Sequence, residues 1–497
     1  MFGPNRFLFL NQEHDLRTSE DWNNPERDKL WLYNLHYFDD LNAVGAQDRK
    51  QWHSELIVRW ISENPPPFGN GWEPYPLSLR IINWIKWVLR GNQPSQEMVR
   101  SIAIQTRYLQ KRLEIHLLGN HFFTNLKALL FAGCFFQGSE AERWFHHGLK
   151  VIQKELKEQI LGDGGHFERS PMYHAIILED ILDVVNLLCV YPEIKSNNIF
   201  GILRNFEKTA KRMLVWSNVM VHPDGEIVLF NDAAFGIASH LKKLKDYASS
   251  LGIKGRDLPL PDLMYLQDTG YVRVNQGPLI CFFDIAPIGP DYLPGHAHAD
   301  TLSFEMSVGN HRVFVDTGVS SYEETVDRLQ QRQSVSHNTL TVDHKDSSEV
   351  WGSYRVARRA GVLTPSINQE NGFIMVRAAH DGFYRLKDVG KHEREWRIRS
   401  DMIEMDDKID GAGTHLVELG LHVHPEVELR QEESHKIRLS VPSGHRVLVR
   451  MDKRFQVSIE PCSYHPEFGV SHDTVRIVGS YEGDLPAQFQ TQMEVIQ

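Results

Sequence analysis

The sequence predicts a multidomain α+β protein, a domain of paired helices followed by an antiparallel β-sandwich. Three observations carry that prediction. The chain has 497 residues, more than one hydrophobic core usually organises, so two domains are expected. From Asp48 to about Ser250 the apolar residues recur at helical spacing, and beyond Pro261 they fall into short alternating runs. Between these patterns lies a stretch punctuated by Gly and Pro, from Leu251 to Pro261. Helices followed by sheets mean one domain of each kind, which places a helical domain at 1–255 and a β-sandwich domain at 256–497.

The helical half is read from stripes such as Leu77, Ile81, Ile82, Trp84 and Ile85, and again Ile176, Ile177, Ile181, Leu182 and Val185. The run Asn64-Pro65-Pro66-Pro67-Phe68-Gly69-Asn70-Gly71 ends one helix and leads into the next. Many antiparallel helix pairs of this kind build a bundle or a toroid. The sheet half is read from Gly270-Tyr271-Val272-Arg273-Val274, Arg312-Val313-Phe314-Val315-Asp316 and Glu395-Trp396-Arg397-Ile398-Arg399.

Composition bounds the partners. With 41% hydrophobic and 24% charged residues the chain is an ordered globular protein. A net charge of -11 and a pI near 6.1 argue against a general nucleic-acid or membrane-surface binder. A polyanionic substrate would need a local basic patch; Arg328, Arg332, Arg355, Arg358 and Arg359 either form one or are scattered solvated arginines. Cys134, Cys189, Cys281 and Cys462 stand far apart and are expected to be buried, reduced thiols. The apolar patch near Met1 is too short for a secretion signal and lacks a small-residue cleavage site. The expected compartment is therefore cytoplasmic, or periplasmic or secreted if a leader was removed. No apolar run reaches the ~18 residues of a membrane span, so membrane insertion is not expected.

Chemistry concentrates between Pro294 and Asn338, in Pro294-Gly295-His296-Ala297-His298-Ala299-Asp300, then Asp316, then Ser336-His337-Asn338-Thr339. Imidazole and carboxylate suit a divalent ion such as zinc, and a His-x-His pair on a strand sends both rings to one face. His298, Asp316 and His337 are the candidate ligands, against a hydrogen-bonded polar core, and His296 is left as a candidate catalyst. In the helical half Asn120 and His121 stand side by side, read either as a carboxylate donor with a titrating imidazole or as a helix N-cap beside a core histidine. The loop around Glu168 and Arg169 leads to Tyr173, whose phenol could be lowered by a cationic neighbour and serve as base and acid, or could simply pack. Trp72 and Tyr75, in a Pro/Gly-rich loop, offer flat faces to a sugar, while Trp84 and Trp87 read as core. Together with Glu168, Arg169, Arg332 and Trp351 they complete the candidate substrate contacts.

Taken in order, Gly119-Asn120-His121, Glu168-Arg169-Ser170-Pro171-Met172-Tyr173, His296-Ala297-His298-Ala299-Asp300, Phe314-Val315-Asp316-Thr317-Gly318 and Ser336-His337-Asn338-Thr339 resemble the heparinase II/III family of polysaccharide lyases. The resemblance runs from Trp31 to Pro425. It implies an N-terminal (α/α) toroid of helical hairpins, a C-terminal antiparallel β-sandwich, and an active site in the cleft between them. It implies that Asn120 holds a uronate carboxylate with His121 beside it, that Tyr173 is the general acid/base, and that His296 is the partner base. His298, Asp316 and His337 would hold a structural divalent metal, zinc first with manganese or calcium as alternatives, and no organic cofactor is implied.

Those residue types fit β-elimination on their own terms. The C5 proton of a uronic acid is only weakly acidic, so hydrogen bonds must neutralise the adjacent carboxylate while a base takes the proton and an acid protonates O4. A glycosaminoglycan is the expected substrate, an alginate-like exopolysaccharide the second. A hydrolase using Glu168 with Asp163, or a non-catalytic glycan-binding protein, are the rivals.

Overall fold

A computed structural model describes residues 1–191, 199–254, 259–370 and 372–496. The chain forms two compact units. One comprises Met1–Ile160, Ile176–Ala210 and Ser250–Ile253, the other Leu161–Ala175, Lys211–Ser249 and Lys254–Gln497. The boundary expected between 255 and 256 lies outside the described residues.

The first unit opens with a hairpin, β1 (Arg6–Phe9) and β2 (Gln12–Asp15), and continues in helices α1 (Lys29–Tyr37), α2 (Lys50–Glu63), α3 (Pro74–Leu89), α4 (Gln96–Gln110), α5 (Gly119–Phe135) and α6 (Ser139–Gln159). Helices α7 (Pro171–Val190), α8 (Ile199–Val219) and α9 (Leu241–Ser250) follow. The helical hairpins make an (α/α) toroid. Helix α6 is amphipathic, burying Ala141, Trp144, Phe145, Leu149, Ile152 and Leu156 at helical spacing, whereas α5 is buried almost all round. Gly133 lets the two helices approach, since a Cβ there would stand 2.8 Å from the Phe145 amide. Inside the unit the buried Lys127 ammonium bonds Asp180 and, at 3.0 Å, Asp183. Neither carboxylate is thus left as an uncompensated buried charge. Trp84 and Trp87 are core, as expected.

The second unit carries two antiparallel sheets. The smaller runs in sequence order through β3 (Leu263–Leu266), β4 (Tyr271–Gln276), β5 (Leu279–Asp284), β6 (Phe304–Val308) and β7 (His311–Phe314). After α10 (Val326–Arg332) come β8 (Leu340–Val342) and the short hairpin β9 (Val350–Trp351) and β10 (Arg355–Val356). The larger sheet uses β11 (Val362–Glu370), β12 (Phe373–His380), β13 (Val389–Ile398), β14 (Met402–His422), β15 (Glu428–Glu433), β16 (Lys436–Ser440), β17 (Arg446–Arg450), β18 (Gln456–Tyr464) and β19 (His472–Ile496). Its order is β11-β12-β13-β14-β19-β17-β16-β15, with β18 beside β19 and β8 beside β14. One continuous core joins both sheets, for example Phe283 against Trp396 at 4.8 Å between ring centres, so this is a β-sandwich.

Strict alternation along β13 sends His392, Arg394, Trp396 and Ile398 inward. The two polar members are satisfied there: Arg394 and His392 both donate to Asp407, and Arg394 Nη1 also donates to the Leu302 and Asn338 carbonyls at 2.7 Å. The sandwich thereby grips the connections leaving its strand ends. The long β5–β6 connection, residues 285–303, carries His296, His298 and Asp300.

Two local expectations change. Residues 294–300 form no strand, because Pro294 has no amide hydrogen and the His298 and Ala299 amides bond the Asn231 side chain and the Arg332 carbonyl instead of a ladder. Asp316 and His337 likewise follow β7 and precede β8 rather than lying within strands. Of the free cysteines only Cys281 is buried, and Cys189 is exposed at the end of α7. Among the described residues no helix is long and apolar enough to cross a membrane.

Candidate active site

In the second unit the polar residues converge on Asp232, a fully buried carboxylate. It accepts hydrogen bonds from His296 Nδ1 and His298 Nε2, each at 2.8 Å, and from both terminal nitrogens of Arg328, Nη2 at 2.7 Å. Burial alone would raise this carboxyl, but Arg328 and the two histidines hold it far below the usual range. An ionised carboxylate only accepts, so His296 carries a hydrogen on Nδ1 and turns Nε2 away from Asp232. Glu168 Oε2 stands 3.6 Å from that Nε2, beyond hydrogen-bond reach. Of this group only His296 is partly open to solvent, at 16% of its side chain.

Tyr173 lies in the first turn of α7, where the Ser170 hydroxyl accepts its amide and donates to the Asp232 carbonyl. Its ring packs on His296 with centres 4.0 Å apart, and its hydroxyl bonds that of Tyr322 at 3.1 Å. A phenol lowered by a cationic neighbour was the expectation. Burial, with Tyr322, Asp232 and Glu168 nearby, instead raises it well above the ordinary value, so Tyr173 rests as a proton donor. Arg328 covers the Tyr322 ring at 4.9 Å and donates to the Ser353 carbonyl. Tyr354 sets its edge against His296 at 6.4 Å.

The supporting backbone is unusual. Asn231 and Arg169 both hold left-handed φ, near 58° and 60°, uncommon for residues with a Cβ. Asn231 is fixed by bonds to the His298 amide, the Tyr271 hydroxyl and the Arg169 carbonyl. Arg169 itself donates to the Thr269 and Ile288 carbonyls, and Arg332 to those of Ala297 and Gly352. These two arginines, expected at substrate, brace the backbone. Trp351 is half exposed.

The three expected metal ligands are near one another but do not surround a common point. His337 Nδ1 bonds Asp316 Oδ2 at 2.7 Å, and the His298 and His337 rings lie 5.3 Å apart. Among the described residues no three His, Cys, Asp or Glu side chains are grouped to hold a metal ion. Asp316 is turned toward His337, and its other oxygen accepts the Gly318 amide. Two fully buried imidazole nitrogens, His298 Nδ1 and His337 Nε2, nevertheless have no hydrogen-bond partner. Burial opposes protonation of His337, but Asp316 raises it; His298 is pushed down to about 3 by burial.

In the first unit Asn120 and His121 open α5 behind Leu118 and Gly119, both at positive φ. Leu118, not Asn120, is the N-cap. Asn120 lies beside the Tyr75 phenol, and Tyr75 stacks on His121 at 4.2 Å. His121 Nδ1 meets Glu114 at 3.1 Å and keeps its side chain 30% exposed. Tyr75 therefore backs the pair. Trp72, expected on the surface, is buried edge-on against Tyr108 with its indole N–H on the Asn64 carbonyl, and has no free face.

Sequence reasoning missed Asp232, Tyr322 and Asn231, which lie in no recognisable motif. A rival pair of carboxylates is not available: Asp163 spends both oxygens on Gly165 and Thr269 as a turn anchor.

The family described as Heparinase II/III N-terminus matches residues 48–252, and that described as Heparinase II/III-like, C-terminal, matches 258–492. A heparin-sulfate lyase of Bacteroides stercoris is 25% identical over 262 residues, 47% of this chain and 38% of that protein. Another, of Pedobacter heparinus, is 25% identical over 326 residues, 58% of this chain and 47% of that protein. The chain thus spans less than half the length of either. A crystal structure of heparinase III superposes with a TM-score of 0.75 at 16% identity, covering 99% of this chain and 79% of that one.

His174 supplies a stability test of the loop that bears Tyr173. Its ring stacks on Trp216 at 4.1 Å, its Nδ1 accepts the His166 amide, and its Nε2 donates to the Met213 carbonyl, an arrangement that requires neutral imidazole. Burial pushes it from 6.5 down to about 3. The folded value is depressed, so the unfolded chain binds the extra proton, and stability is full above pH 6.5 and lost as pH falls toward 3. Its expected contribution is about 1.4 kcal/mol per pH unit. Urea unfolding at a series of pH values should show a shallower slope in His174→Gln than in the parent.

Proposed function

The chain belongs to the heparinase II/III-like family, and from the packing of the Tyr173 ring against His296 we propose that it is a polysaccharide lyase that cleaves a uronate-containing glycosaminoglycan by β-elimination. The names of its relatives make heparan sulfate the first substrate to try.

In this reading His296 Nε2 takes the C5 proton, the electrons of that C–H bond form the C4–C5 double bond, the C4–O4 bond breaks, and the Tyr173 phenol protonates O4. The product carries a 4,5-unsaturated uronate. Asp232 keeps Nδ1–H in place and stabilises the imidazolium that forms, as a buried carboxylate does for other catalytic histidines. Tyr322, bonded to the Tyr173 hydroxyl, steadies the phenol and offers a path for its reprotonation. Asn120 and His121 are assigned to the uronate carboxylate, whose neutralisation stabilises the enolate-like charge. With the C5 hydrogen and O4 on opposite faces of the ring, His296 and Tyr173 divide the work in this way.

The two unpartnered ring nitrogens, His298 Nδ1 and His337 Nε2, suit a divalent cation, zinc first. His298 and His337 would hold it, with Asp316 fixing the far nitrogen of His337 as an outer partner. Such an ion would stiffen the loop that bears His296.

Tyr173→Phe should lower kcat on heparan sulfate by at least about a hundredfold, read as ultraviolet absorbance of the new double bond, while binding of the polymer persists. Activity near that of the parent, or reducing ends released without ultraviolet gain, would exclude the proposal. Elemental analysis should find about one zinc per chain, and His337→Ala should lose both metal and several degrees of melting temperature; a metal-free parent of unchanged stability would remove the cation from the account.

A further inference from the structure

We propose a second, non-catalytic sugar subsite on the β9–β10 hairpin, where Trp351, Lys345 and Arg355 bind an acidic pyranose of the same chain at a distance from the cleaved bond. The inference rests on the lyase reading for the identity of the polymer, and on its own geometry for the site.

A cavity of about 530 Å³ opens beside the hairpin, lined by Trp351, Lys345, Arg358 and Arg385 together with the carboxylates of Asp346 and Glu349, while Arg355 stands outside it. That volume lies within the range of small-ligand sites. Trp351 is 50% exposed at its rim. Arg355, its cross-strand partner, lays its guanidinium over the indole at 5.0 Å. Charge is divided in a telling way. Arg358 is held by two bonds to Glu349, and Arg385 by the Ser347, Gly382 and Asp346 carbonyls. Lys345 and Arg355, by contrast, have no carboxylate or carbonyl partner for their side chains among the described residues. An exposed indole with the Arg355 guanidinium over one face and Lys345 in the same cavity wall matches a pyranose that is apolar on its C–H face and anionic at its rim.

The hairpin is also tied to the chemistry. Its turn is pinned by Arg332 on the Gly352 carbonyl and by Arg328 on the Ser353 carbonyl, and Arg328 is the same guanidinium that clamps Asp232. Tyr354 leaves that turn to stand against His296. The same turn thus carries both Tyr354, beside His296, and the Trp351 platform, so a polymer engaged at His296 has further sugars to offer Trp351 that a very short oligosaccharide lacks.

Affinity electrophoresis in gels containing heparan sulfate, with dextran as the neutral control, tests binding without turnover. Trp351→Ala and the double variant Lys345→Ala/Arg355→Ala should each weaken heparan sulfate binding about fivefold or more, with no change on dextran. Their KM for the polymer should rise at least about fivefold more than that for the shortest cleavable oligosaccharide. Retardation equal to that of the parent in both variants, or an equal loss on dextran, overturns the subsite. Binding lost through Trp351 in a protein that never generates ultraviolet absorbance would keep the subsite and discard the lyase reading.

Discussion

A single ionised carboxylate in a dry interior organises the second unit. Asp232 is expensive to bury, and only a bidentate guanidinium together with two imidazole N–H donors makes the burial tolerable. The consequence is functional as well as structural. The same four bonds that satisfy Asp232 decide which nitrogen of His296 bears hydrogen, where His298 points, and how Arg328 lies across Tyr322 and the Ser353 carbonyl. Removing Asp232 or Arg328 would leave the other as an uncompensated buried charge, and removing Asp232 would also strip both imidazoles of their acceptor.

Around that carboxylate the backbone is bent where side chains must converge. Left-handed residues precede Asp232 and Tyr173, at Asn231 and Arg169. Each such residue costs of order 1–3 kcal/mol and persists only where its surroundings over-determine it. Asn231 shows how, with its amide side chain bonded in three directions. Asn338 does similar work one layer deeper: its side chain donates to the Phe304 and Val315 carbonyls and accepts the His422 amide, tying β6, β7 and β14 beneath the histidine loop. The rigid sandwich supplies the frame and the irregular connections supply the chemistry.

Much of this was legible in the sequence. The change from helical to alternating periodicity at Pro261 reflects the two kinds of unit, because burial of one face is written at a period of 3.6 or 2 whatever the fold's details. The ordered motifs at Asn120, Tyr173 and His296 brought the fold and the reaction class into view together. Other features could not be read. Asp232 sits in an apolar run with nothing to distinguish it from an ordinary surface aspartate, and its importance arises only when residues far along the chain fold onto it. Trp72 looked like a loop aromatic, yet its indole N–H has a buried carbonyl to satisfy. Arg169 and Arg332 looked like anion binders, but backbone carbonyls claim them first. The direction of the Tyr173 shift depends on how much water is excluded, a property of packing and not of neighbours in sequence.

The claim on which the account turns is that Asp232 fixes the hydrogen of His296 on Nδ1 and leaves Nε2 bare for a substrate proton. Nitrogen NMR of protein labelled at its histidines, with His296 assigned by comparison with His296→Gln, reads that tautomer directly. The account predicts Nδ1–H for His296 in the parent and loss of that preference in Asp232→Asn. A parent resonance that places the hydrogen on Nε2, or an unaltered signal in Asp232→Asn, would contradict it.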